Sequence, residues 1–339
     1  MASPEDIYRA ALGKEAWNDW AEKSPKAKVD FSQASLYTAD FRGFIFPGDV
    51  NFQHARFAGN ADFGHCRFLG ETAFSYARFR RKADFSYATF AGKVDLDRVD
   101  FGDDASFEAS TFRGYAYIVH SDFKYASFKL AKFDRLELTH STFTGEVVFT
   151  QAMFNSASFN GARFEHPLTS FEAATFRQVP DFRGSSFRPA AIFHKAHVVG
   201  DWTGRWWNLR RAVRSDDAEK YRRLKVLAAA GKDFARELAY FADELRAKRG
   251  HETTKPAAVF LNLAYEVVSD FGRSAARPFL ILVALTLAVW ILKMATHWSK
   301  ACTDEALLVL SITDGALLLG FDKSAIRDDL LPVSHTSVD

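Results

Sequence analysis

From residue 31 to residue 198 one large apolar residue recurs at near-constant spacing. It falls on 32 positions, 27 of them Phe, and the other five are Leu36, Leu96, Ile118, Leu138 and Val198. Of the 31 steps between them, 20 are five residues long, ten are six, and one is seven, between Phe164 and Phe171 across His166 and Pro167. Two positions before the large residue the chain prefers a small one, as at Ala55, Ala61, Cys66, Ala77, Ala83, Ala88, Ala126, Ala131, Ala152, Ala157 and Ala162. The position between is mostly polar: Asp40, Asn51, Asp62, Arg67, Arg78, Asp84 and Asp122. A period of five fits neither the 3.6 of a helix nor the 2 of a strand. It fits a chain that turns a corner at every unit, so that four units close one square coil. Large residues then stack inside, small ones fill beside them, and coils at strand spacing pair each other's backbone groups.

Gly48, Gly59, Gly70, Gly92, Gly114 and Gly145 each stand two after a large residue, inside a six-residue step. Since glycine tolerates φ > 0, the extra residue is expected to loop outward as a bulge. Between Phe52 and Phe112 five- and six-residue steps alternate strictly, so equivalent positions recur once per four steps. That stacks Asp40, Asp62 and Asp84 on one face and Arg56 with Arg78 on another. Those charged ladders read as solvated, so Asp84→Ala is expected to be nearly silent while its neighbour Phe85 faces the core. The structural core includes Phe57, Phe68, Phe79, Phe85, Phe90, Phe107, Phe128 and Phe154.

The segments ADFSYATFAG at 83–92 and ADFGHCRFLG at 61–70 carry the motif A-[D/N]-L/F-x-x, in which the chain resembles the bacterial pentapeptide-repeat family. The resemblance covers the whole of 29–198, and LGKEAWNDWAEKSPKAKVDFSQASL at 12–36 is similar to the usual lead-in. It differs in its strong preference for Phe over Leu and in its frequent six-residue steps. The resemblance implies a mainly β fold, a right-handed quadrilateral β-helix. Thirty-two sides make about eight coils, a rod on the order of 40 Å long at ~4.8 Å per coil.

An open solenoid end exposes apolar rings and unpaired edges and needs a cap. Ser3-Pro4-Glu5 is a helix start, and residues 4–23 read as one capping helix with Ile7, Ala10, Leu12, Trp17 and Trp20 on its apolar side. At the other end Trp202, Trp206 and Trp207 are expected to close the rod, or else to form an interfacial membrane belt. Residues 216–230 and 233–249 read as two helices split at Gly231. Leu224, Leu227 and Ala228 mark one stripe, Phe234, Leu238, Phe241 and Leu245 the other, and the two are expected to pack on each other. Residues 205–249 hold 13 Lys/Arg against 7 Asp/Glu, so anionic lipid is a reasonable contact for this hairpin.

FLILVALTLAVWIL at 279–292 is free of charge and, extended to Trp298 with Lys293 and His297 near the far end, reaches twenty residues, enough to span a bilayer. Arg273, Arg277 and the basic hairpin precede it, whereas Asp304 and Glu305 follow, so the positive-inside rule puts the N-terminal rod in the cytoplasm, against the inner membrane. Residues 1–20 lack the apolar run of a secretory signal. A second apolar stretch, 306–321, carries Asp314 and Gly315 at its middle. The order YEVVSDFGRS, membrane helix, short apolar segment is similar to a subgroup of pentapeptide-repeat proteins whose C-terminal part looks like a two-helix pore module. Here no second full membrane helix follows Phe321 and the filter sequence T-V-G-Y-G is absent. Asp314 is the candidate pore-facing residue. The domains expected are thus a cap at 1–28, the β-helix at 29–199, the basic αα-hairpin at 200–250, juxtamembrane and transmembrane helices at 251–298, and a short apolar segment with a polar tail at 299–339.

Composition changes this picture little. The net charge is +2 over 339 residues, and residues 29–198 hold 19 Lys/Arg and 19 Asp/Glu. A neutral rod argues against a DNA mimic that binds topoisomerase, and no nucleic-acid partner is expected. Cys66 and Cys302 cannot build a disulfide framework. Cys66 sits in the small-residue slot, and His54, His65, His120 and His140 fall on outward positions; His194 and His197 do not share a face. No phosphate-binding, zinc-protease, nucleophile-elbow or EF-hand motif occurs. A filled core leaves no substrate cavity, so neither catalysis nor a cofactor is expected. The favoured reading is a membrane-anchored cytoplasmic scaffold that recruits a protein partner and touches membrane lipid. A regulatory subunit of a membrane pore, with a homo-oligomer, is the alternative.

Overall fold

The computed structural model describes residues 1–37, 39–203 and 211–298. Trp206, Trp207, Asp314 and the apolar stretch 306–321 lie outside the described residues. Contacts divide the chain into two units, Met1–Asn262 and Leu263–Asp339.

In the first unit the repeat forms a β-solenoid of about eight turns. Successive coils pair in parallel: Val29 pairs with Val50, Ala39 with Ala61, Arg56 with Arg78, and Phe90 with Phe112. Most sides of the coil are strands of two residues, such as Arg78–Phe79 and Ala83–Asp84. Backbone bonds run from coil to coil, as from Phe52 N–H to the Ala73 carbonyl at 2.7 Å and from Phe63 N–H to the Asp84 carbonyl at 2.6 Å.

Four ring columns fill the interior. Along a column the rings stack nearly parallel: Phe57 on Phe79 at 4.4 Å, Phe68 on Phe90 at 4.6 Å, Phe85 on Phe107 at 4.9 Å, Phe107 on Phe128 at 5.0 Å and Phe154 on Phe176 at 4.8 Å. Between columns they meet edge to face, as Phe63 does Phe74 at 84°. Both arrangements suit the ring quadrupole. Phe57, Phe68, Phe79, Phe85, Phe90, Phe107, Phe128 and Phe154 are all buried, and the small positions from Ala55 to Ala162 fill the gaps beside them.

The corners are of two kinds. At one kind the residue two past the large core residue has φ near +55°, as at His54, His65, Tyr76, Tyr87, Arg98 and His120. The third-residue N–H closes the turn, for example Cys66 N–H to the Phe63 carbonyl at 3.2 Å. The six-residue steps fall at the other kind, and here the expectation for the glycines fails. Gly48, Gly59, Gly70, Gly92, Gly114 and Gly145 do not have φ > 0. They are needed because neighbouring coils touch there: a Cβ on Gly92 would lie 2.5 Å from the Gly70 carbonyl oxygen. In the later coils two sides run on as one strand, across six-residue steps in Asp100–Ser106 and Thr111–Tyr117 and across five-residue steps in Asp122–Ser127 and Lys132–Glu137. The bulge itself appears where a six-residue side meets a five-residue one, between Phe101 and Asp104.

The first coil is capped by two helices rather than one, α1 (Pro4–Ala11) and α2 (Lys14–Lys23), broken at Gly13 with φ +90°. The break turns Ile7 and Leu12 outward and lets Trp17 cover the ring columns, stacked on Phe44 at 5.4 Å. The cap also satisfies the open edge. Trp17 Nε1–H donates to the Ile45 carbonyl at 2.8 Å, Asn18 bonds both Gly43 and Ile45, and Asp30 N–H donates to Asp6 at 3.0 Å.

The other end is closed by α3 (Asp217–Ala230) and α4 (Phe234–Lys248), joined at Gly231. The two helices pack together, with Phe241 and Leu245 half-buried and Lys225 of α3 over the Phe241 ring at 5.3 Å, but the stripes have further tasks. Leu224, Leu227 and Ala228 of α3 join the rod's core, while Phe234 stays 73% exposed and Leu238 is exposed as well. The inward face of α4 carries Tyr240, Glu244 and Ala247, a set that hydrophobicity alone misses because it contains a carboxylate. Arg223 donates to the Phe182 carbonyl at 3.1 Å and to that of Ser185, and Arg236 donates to the Phe193 carbonyl, so guanidinium groups take the place of a next coil. Trp202, the one described residue of the Trp cluster, stacks on Tyr221 at 5.8 Å.

Helix α5 (Pro256–Ser269) contains the boundary between the units. In the second unit α6 (Ala276–Trp298) follows, and Phe279, Leu280, Leu285, Leu287, Ile291 and Leu292 on it are exposed.

Two substitutions test the packing. Phe85→Asp buries an unpaired charge in mid-rod and is expected to unfold the first unit, a loss of several kcal/mol read by thermal or denaturant melting. Gly92→Ala must push two coils apart and is expected to lower the melting temperature. A neutral Gly92→Ala would show that the glycines are not contact points.

Candidate functional surfaces of the rod

With the interior filled by rings, chemistry has to come from the outward positions, and each of these is set by its distance from a corner. The residue just before a ring at a positive-φ corner is Asp or Asn in most of the first coils, and again at Asp181. Its side chain accepts the N–H two residues on: Asp30 from Ser32 at 2.8 Å, Asn51 from Gln53 at 2.9 Å, Asp62 from Gly64 at 2.8 Å, Asp84 from Ser86 at 2.9 Å and Asp181 from Arg183 at 2.9 Å. These are Asx turns, and they explain why the repeat wants Asp or Asn there. The Asp40, Asp62 and Asp84 ladder is in register, but it does not simply point into solvent. Asp84 is half-buried and also pairs with Lys82 at 3.0 Å. Burial works against its ionisation, yet Ser86 and Lys82 outweigh that and hold the carboxyl below its ordinary range.

The residue in the equivalent place before the other corners has no such bond. Arg56, Arg78, Asp100 and Asp122 are exposed there and make no ion pair among the described residues. A groove of about 670 Å³ runs over this side, lined by Tyr37, Arg56, Ala58, Arg78, Arg80 and Gly102 among others.

The positive-φ corner residues form a third surface. His54 stacks on Tyr76 at 4.9 Å, Arg98 lies over Tyr76 at 5.4 Å, and His120 stacks on His140 at 5.5 Å while contacting Asp97 at 3.3 Å. On an adjacent side Tyr115 donates to Glu137 at 2.8 Å, and burial with that bond pushes its hydroxyl up to about 12. Cys66 is buried and donates to the Phe41 carbonyl at 2.9 Å, and burial pushes the thiol far up, so it is a filler rather than a nucleophile. His194 and His197 are exposed.

In the hairpin the dominant feature is Glu244, 3% exposed and bound by Lys225 and Lys248, each at 2.7 Å, and by Arg222 at 3.1 Å. Burial opposes its ionisation, but the three cations outweigh it and hold the carboxyl below the usual glutamate range. Sequence reasoning passed over this residue. The signal available was Arg222 and Lys225 on one helix and Lys248 four residues after Glu244 on the next.

The sequence model of the family described as Pentapeptide repeats (9 copies) matches residues 52–100 and 85–131. The coils continue in the same register on both sides of that stretch, from Val29 to Val198. No curated protein matches the chain.

Both kinds of carboxylate can be tested by substitution. Asp84→Ala removes a turn bond and is expected to cost about 1 kcal/mol, while Asp84→Asn, which keeps an acceptor, costs less; equal melts for the two would refute the capping role. Glu244→Gln leaves three cations around a neutral group and should lower stability at pH 7. Because the folded pKa of Glu244 is depressed, its contribution is complete above its ordinary value of 4.5 and is lost as pH falls through the folded value. The gap between wild type and Glu244→Gln should therefore narrow in acid, and a gap independent of pH would contradict this account.

Proposed function

We propose that this pentapeptide-repeat protein is a non-catalytic scaffold anchored in a membrane, whose rod presents its sides to a protein partner in the cytoplasm. The observation that carries the reading is the stretch Ala276–Met294, nineteen residues long and apolar enough to cross a bilayer, with none of its residues buried among the described residues. A core helix of a soluble protein would bury those side chains, and exposing so many leucines and isoleucines to water is costly. The rod supports the scaffold half of the reading. Its interior is taken up by rings, so its outer sides are what it offers a partner.

Arg273 stands just before α6, and Arg277 is in its first turn. They favour the cytoplasm for the preceding chain and contact with anionic headgroups at that boundary.

Carbonate washing of cells that express the full chain should leave it in the membrane pellet, whereas a chain ending at Ser274 should be released. A full chain released by carbonate would refute the anchor. Protease added from the outer side of the membrane should spare the rod, and cleavage there would refute the orientation.

A further inference from the structure

The side of the rod that holds Arg56 carries an ordered pattern of charge. In register, coil by coil, its outward column reads Ser35, Arg56, Arg78, Asp100, Asp122, Thr142, Arg163, Ser186. Two cations are followed by two anions, flanked by Ser35 and Thr142, with Arg163 one rung further on. Like charges in adjacent rungs of a sheet repel. Their positions serve no corner, and Arg56, Arg78, Asp100 and Asp122 have no ion-pair partner among the described residues. Even Arg78 and Asp100, paired across the backbone ladder, do not form an ion pair.

Read backwards, the six rungs from Ser35 to Thr142 are their own complement, and Arg163 and Ser186 fall beyond the overlap. A second copy laid antiparallel, with the two-fold axis between the Arg78 and Asp100 rungs, sets Arg78 against Asp100 and Arg56 against Asp122, twice each by symmetry, and Ser35 against Thr142. A parallel arrangement about an axis along the rods would instead set arginine on arginine and aspartate on aspartate. The neighbouring outward column, one residue past each ring, is complementary in size under the same operation. It reads Tyr37, Ala58, Arg80, Gly102, Lys124, Thr144, so that Arg80 meets Gly102, Lys124 meets Ala58 and Tyr37 meets Thr144. Ala58 and Gly102 line the groove on this side, and Tyr37 at its rim is 79% exposed.

We infer that this side is a dimer interface, occupied by a second copy of the same chain related by an isologous two-fold axis across the rods. The inference does not need the anchor and goes beyond the scaffold reading. Exposed ion pairs are individually weak and screened by salt, so the dimer is expected to be concentration-dependent and to loosen as salt is raised.

Charge exchange gives the test, on the full chain in detergent by sedimentation analysis. Variant one, Arg56→Asp with Arg78→Asp, makes all four charged rungs between Ser35 and Thr142 acidic. Variant two, Asp100→Arg with Asp122→Arg, makes all four basic. Each alone is expected to dimerise at least ~10-fold more weakly than wild type, and mixing the two should restore a heterodimer. The heterodimer also shows that both variants are folded. Three outcomes overturn the inference: a wild-type chain that stays monomeric throughout, a dimer indifferent to both exchanges, or two variants that do not associate when mixed. Loss of wild-type binding to anionic vesicles in variant one, with no dimer in any mixture, would assign the arginines to lipid instead.

Discussion

Everything in the rod follows from one spacing. Parallel strands that exchange backbone hydrogen bonds lie ~4.8 Å apart, and each coil repeats that distance on the next. Where rings follow one another one coil apart they are therefore held mostly 4.4–5.1 Å apart, close enough to stack with an offset. The same spacing decides which residues are tolerated elsewhere. It brings the backbone of Gly92 against that of Gly70, and it places every outward side chain above an equivalent one.

The ends show what the spacing costs. A coil with no neighbour has carbonyls and N–H groups facing nothing. At the N-terminal end they are met by Trp17, Asn18 and Asp6, and at the other by Arg223 and Arg236. A cap therefore has to be apolar in its middle and hydrogen-bonding at its rim. The α3–α4 hairpin combines Leu224 and Leu227 with those two arginines for this reason.

The coil, the ring columns and the helix boundaries of the hairpin are legible in the sequence because they depend on spacing and apolar type alone. What spacing does not tell is why a residue type occurs. The glycines of the six-residue steps look like turn formers, and they are contact points between coils. Asp84 looks like a solvated residue, and it closes a turn. Phe234 and Leu238 look like core because they are apolar at helical spacing, yet α4 turns Glu244 inward and pairs it with three cations. For the glycines the deciding partner lies one coil away along the chain, and for Glu244 two of the three cations lie one helix away, where no local pattern shows them. For Asp84 the partner is the nearby Ser86 N–H, whose direction is set only once the corner has formed.

A solenoid also separates the residues that build it from those that do not. An outward Asp before a positive-φ corner has a structural task, so its recurrence along the rod says nothing about partners. An outward Arg before the other kind of corner has none, and neither do Asp100 and Asp122 in the same column. Stacking like charges in register is unfavourable for the isolated rod, and nothing in the coil requires it. The order of those charges, two positive and then two negative, is therefore where the sequence of the rod departs from the demands of its own fold, and it departs in a way that a copy of itself, turned end for end, would relieve.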